Sequence, residues 1–229
     1  MESLQKRPLT FVLFLLRLLS GVVGGVAGTL ALFVVYFLLL HLVPETEGVN
    51  SLSFFVIVVM AFVGTLVSNT VVSVMVTFMD NAKYARRKTT ILHVFLFNLI
   101  LFFLTIPLYL LALQLDIMIA VVAVHLLLSA FISALIMELL AGERYALMGL
   151  YSLAFGIFFA ITLAVTLVTA QVRSLIIIFS AMPGVWFLLQ LFGGLTELIY
   201  DNFVKFYGVD ALNTQTDLGG DSDDESEEN

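Results

Sequence analysis

Cysteine is absent from this chain, proline occurs only four times in 229 residues, and charged residues make up 12%. Without cysteine there are no disulfides, no thiolate metal ligands and no cysteine nucleophile. Soluble domains are about 25% charged, so the shortage of charge is a first argument against a soluble fold. Motifs of chemistry are missing too. The sequence has no H-E-x-x-H, no G-x-S-x-G and no Walker-type phosphate loop, the patterns that mark common hydrolase and nucleotide sites. No cofactor or metal is expected.

What the chain has in abundance is apolar sequence: 61% hydrophobic residues and a mean hydropathy of +1.10. Its charges are confined to short gaps between apolar runs. Runs of about 20 such residues can cross a hydrocarbon core of about 30 Å as helices. The reading is an all-α, polytopic membrane protein, a six-helix transmembrane bundle over residues 21–200. The spans fall at about 21–43, 54–79, 90–113, 117–140, 146–170 and 175–199. Residues 1–20 read as a cytoplasmic N-terminus with an interfacial helix, or as the start of a long first helix. Residues 201–229 read as a cytoplasmic, acidic, disordered tail.

The gaps set the expected orientation. Lys83, Arg86, Arg87 and Lys88 form a basic loop after span two, Arg144 follows span four and Lys205 follows span six. The alternate gaps are acidic or nearly uncharged, apart from Arg173. Cytoplasmic enrichment of lysine and arginine then places both termini in the cytoplasm. The basic loop reads as a topology signal, with anionic headgroups as its other reading. From Asp210 onward the chain holds eight acidic residues and no basic ones, a composition too charged to fold. This tail could bind a basic cytoplasmic partner, and Ser222 and Ser226 are candidate modification sites. No nucleic acid is expected as a partner.

Polar residues inside lipid-spanning segments are costly and turn toward the bundle interior. Thr65, Asn69, Ser73 and Thr77 repeat every fourth residue, with Ser68 beside them. Asn98 and Thr105 share a face, as do His125, Ser129 and Ser133; Thr162, Thr166 and Thr169 form a stripe on span five. Gln190, Gly193 and Glu197 lie within two turns of span six. Counting 1.5 Å per residue puts Asn69, Asn98 and Gln190 at one level, with Asn69 expected to bond Asn98. The stripes either pack closed or line a hydrated path. Glu138 and Glu197 read as interfacial charges in reach of Arg144 or Lys205. Glu138, Glu143 and Asp201 are the carboxylates from which an acid–base group would have to be drawn. His41, His93 and His125 fall at different depths and form no ligand set; His125 alone lies deep, as a structural or pH-responsive group. Pro107 and Pro183 are expected kinks, and Gly184 adds to the bend at the second.

Gly21, Gly24, Gly25 and Gly28 make two overlapping G-x-x-x-G pairs, which let helix backbones approach closely. They read as a packing seam and as the place to seek a membrane partner or self-association through the first span. Arg17, one turn earlier, is expected to reach headgroups from an interfacial segment that turns near Ser20–Gly21. The functional expectation is a non-catalytic subunit or scaffold of a membrane assembly, in the lipid bilayer with other subunits. The alternatives are a small-solute permease or channel between the stripes and, behind it, an intramembrane enzyme.

Overall fold

The computed structural model describes residues 10–42, 49–79, 87–115, 117–141, 143–171 and 175–207. The basic-loop residues Lys83 and Arg86 and the serines Ser222 and Ser226 lie outside the described residues, as do the side chains of His41, Arg87, Lys88, Glu138, Glu143, Arg144, Asp201 and Lys205.

Among the described residues every regular element is a helix: α1 Phe11–Leu42, α2 Val49–Met79, α3 Arg87–Leu115, α4 Met118–Ala141, α5 Glu143–Thr169, α6 Leu175–Ser180 and α7 Met182–Tyr207. In lipid a chain has no water to satisfy its N–H and C=O groups, and a helix satisfies them within itself. Five of these helices are long and apolar enough to cross a membrane, and α5 adds a shorter apolar stretch, Leu153–Thr169. The outer surface is what lipid requires: Phe103, Leu104, Phe158, Ile161 and Ile199 are all strongly exposed. The protein is a multi-pass helical membrane bundle.

Two elements differ from the sequence boundaries. The first helix is the long one, continuous through Ser20 and Gly21 with no turn there. Its 32 residues run about 48 Å at 1.5 Å per residue. The sixth span is divided, with a single turn residue, Ala181, between α6 and α7. Pro183 causes this, because it has no N–H to give to the carbonyl of Phe179. Thr29 Oγ1 of α1 reaches that carbonyl at 3.3 Å while also donating to Gly25 O at 2.9 Å. The freed acceptor is thus partly restored by a neighbouring helix, as membrane helices require. Pro107, by contrast, stays inside an unbroken α3.

From α1 to α5 each helix packs against the next, and α1 also lies along α7. The four glycines explain how α1 fits between two helices. A methyl group at Gly21 would come within 2.5 Å of the Trp186 carbonyl oxygen, and one at Gly25 would strike Pro183, both on α7. At Gly24 and Gly28 it would strike Val72 and Ser68 of α2. One G-x-x-x-G pair therefore faces each neighbour. The seam expected to attract a membrane partner is filled from within the chain, and self-association through α1 is left with its outer face, from Phe11 to Phe37. Helix α4 touches α2, α3, α5, α6 and α7, and the apolar core around Val122, Leu126, Phe131, Met182 and Trp186 forms against it.

Candidate functional site

Among the described residues, three polar centres lie inside the bundle. The first joins four helices. Asn69 of α2 donates from Nδ2 to Asn98 Oδ1 of α3 at 2.9 Å and to Ser129 Oγ of α4 at 2.7 Å. Ser129 Oγ passes its own proton to Asn98 Oδ1 at 2.9 Å. Trp186 Nε1 of α7 donates to Asn69 Oδ1 at 2.9 Å. Asn98 Nδ2 closes the set on Val94 O of its own helix at 2.7 Å, with Ser133 Oγ at 3.4 Å. Every donor and acceptor of Asn69 is used, as a buried amide requires. Asn69 is 2% and Trp186 0% exposed. The fourfold spacing in α2 and α4 places these groups on facing sides.

The second centre joins the first and last helices. Arg17 Nε donates to Gln190 Oε1 at 3.0 Å, and Arg17 Nη1 pairs with Glu197 Oε2 at 2.5 Å. Arg17 is 9% and Glu197 1% exposed. The interfacial turn expected around Arg17 is replaced by this contact, since a charge that finds a carboxylate in the bundle has no need of headgroups. Glu197 is buried against Arg17. Gln190 is not the third amide of the midplane level; it binds Arg17, and Trp186, a full turn earlier on α7, takes the amide level. Gly193 and Gly194 make the contact fit: a Cβ at Gly193 would lie 3.0 Å from Arg17 Nη2, and one at Gly194 would lie 2.7 Å from the Phe14 ring.

The third centre lies between α3 and α4. Thr105 Oγ1 donates to Phe102 O at 2.9 Å and sits 3.0 Å from His125 Nδ1. Thr105 Oγ1 and His125 Nδ1 thus share one hydrogen bond, whose donor is set by the tautomer of His125. The Tyr109 ring lies 5.7 Å from the His125 ring and 6.5 Å from that of Phe54. Tyr109 is fully buried, and among the described residues neither its hydroxyl nor Ser68 Oγ has a hydrogen-bond partner. Ser68 presses on the glycine backbone at Gly28, where a weak Cα–H···O contact is the recurring substitute at close helix crossings.

The remaining stripes divide. Thr65, Ser73 and Thr77 are buried on the inner face of α2, with Thr65 donating to Ala61 O and Thr77 to Ser73 O. Thr162, Thr166 and Thr169 turn outward instead, each bonded to a carbonyl four residues back. Such back-bonding hides a hydroxyl in its own helix, so a threonine stripe does not have to face the interior. The inner face of α5 is carried by Gly156, on which Phe131 lies, and by Ala160. Among the described residues no three His, Asp or Glu side chains come together as metal ligands.

Trp186, Tyr109 and Gly194 are not marked as site residues by the sequence pattern. A usable signal existed for the last: Gln190, Gly193, Gly194 and Glu197 share one face at the depth of Arg17, the one basic residue set within the first apolar run. No protein-family model matches the chain, and no curated protein or solved structure does.

Proposed function

We propose that this multi-pass membrane protein is a non-catalytic scaffold or subunit of a membrane assembly. The observation that carries the reading is the state of the Asn69 centre. The groups that would line a solute path are spent on one another, at 2.7–2.9 Å across four helices. A permeation path needs polar groups free to exchange partners with water or solute, and this level of the bundle has closed on itself. Its partners would be other membrane proteins meeting the exposed apolar faces, with the acidic tail free to meet a basic cytoplasmic partner.

The test compares flux with association. Purified protein in liposomes is expected to pass ions, urea and glycerol no faster than empty liposomes. A single cysteine introduced at the exposed Phe158 is expected to crosslink to other polypeptides in the native membrane. Solute flux that disappears in an Asn69→Leu variant would reject the scaffold in favour of a permease.

A further inference from the structure

Residues Gln190, Gly193, Gly194 and Glu197 form more than a contact for one side chain. They present an acceptor amide, a stretch of helix with no side chains, and a carboxylate, in that order along one face of α7. The Arg17 guanidinium lies along this face, its Nε on Gln190 and its Nη1 on Glu197, with Nη2 over Gly193. Gln190 and Glu197 are seven residues apart, about 10 Å along the helix. A planar fork with donors on separate nitrogens can serve both; a lysine ammonium is a single point charge and cannot.

We infer that this face of α7 is a binding site selective for a monosubstituted guanidinium, occupied in the folded protein by Arg17 as its tethered ligand. Occupancy fixes the first turns of α1. Phe14 seats on Gly194, and Ser20 is fully buried beside the site. When the site is vacated, the segment from Phe11 to Ser20 loses the contacts of Arg17 to Gln190 and Glu197 of α7. Its apolar residues then favour the lipid–water interface, since they are exposed already at Phe11, Val12, Leu15 and Leu16. The glycine contacts from Gly21 onward hold the rest of α1 in place. The site is therefore a latch on one end of one helix, whatever the protein assembles with.

The native lack of cysteine makes the test direct. Ser20→Cys places a thiol at the latch, and Ala123→Cys places one in the core of α4 as a control, both read with a membrane-impermeant maleimide on protein in liposomes. Adding Arg17→Ala is expected to speed labelling at position 20 by about tenfold or more, the response to roughly 1.4 kcal/mol, while position 123 stays protected. Arg17→Lys is expected to label like Arg17→Ala. Millimolar ethylguanidinium is expected to restore protection in the Arg17→Ala protein, ethylammonium is not, and the added change Glu197→Gln should abolish the rescue. Protection by lysine equal to that by arginine would overturn the inference, as would ethylguanidinium without effect. Labelling at position 123 alongside position 20 would also overturn it, because the latch would then be a global stability contact.

Discussion

Replacing Asn69 by leucine removes the hub of the four-helix centre without emptying its volume, since leucine has the same branched four-atom side-chain framework. Three interhelical bonds disappear: to Asn98, to Ser129 and from Trp186. Such bonds average about 0.6 kcal/mol in a membrane protein, so together they amount to about 2 kcal/mol. Asn98 keeps its bond from Ser129, but Trp186 Nε1 is orphaned in a fully buried position. An unsatisfied buried donor adds about 1 kcal/mol or more, giving an expected loss of about 3 kcal/mol. The orphan also fixes the sign of a coupling. Trp186→Phe leaves the same cavity in both proteins, but it costs a hydrogen bond only in the natural one, so its penalty should be smaller in the Asn69→Leu protein. Reversible unfolding in bicelles, read by steric trapping, measures all four corners of this cycle. A loss below about 0.5 kcal/mol for Asn69→Leu, within the usual scatter of neutral substitutions, would refute the reasoning. So would a Trp186→Phe penalty as large in the Asn69→Leu background as in the natural protein. Thr166→Ala is the control: its hydroxyl is bonded to its own helix at Thr162 O, and the expected change is within about 0.5 kcal/mol.

Gly25→Val is expected to abolish stable folding in a detergent thermal-shift assay, because the added carbons meet Pro183 and Met182 backbone atoms that cannot step aside. Gly184→Ala, with nothing near its added methyl group, should melt at or above the natural temperature, helped by alanine's preference for helix of about 1 kcal/mol over glycine. Tyr109→Phe removes a buried hydroxyl that has no partner; it should raise stability by about 1 kcal/mol in the same bicelle assay, and a clear loss would reveal a partner for that hydroxyl.

How far the sequence could be read follows from the kind of information each residue carries. The helical membrane bundle, its apolar outer faces and the Asn69–Asn98 contact were legible because hydropathy and fourfold spacing report depth and face directly. Contacts between helices far apart in sequence were not. Arg17 looked interfacial because a lone arginine in an apolar run has no visible partner until α7 is laid beside α1. The same missing adjacency hid the use of the glycines: spacing shows that a backbone can approach, and not whether it belongs to the same chain. Thr162, Thr166 and Thr169 misled for a different reason. A hydropathy argument counts each hydroxyl as needing the interior, whereas a helix carbonyl four residues back satisfies it in place.

The meeting of Arg17 with α7 also has a clock attached. Gln190 is 173 residues downstream, and synthesis at roughly 5–20 residues per second separates the two by about 9–35 s. During that interval the Gly24 and Gly28 face of α1 can already rest on α2, made soon after it, while the Gly21 and Gly25 face and the arginine still await their α7 contacts. The first helix thus enters the bilayer half-docked, and the lipid headgroups that seemed the natural company for Arg17 are its company only until the last helix arrives.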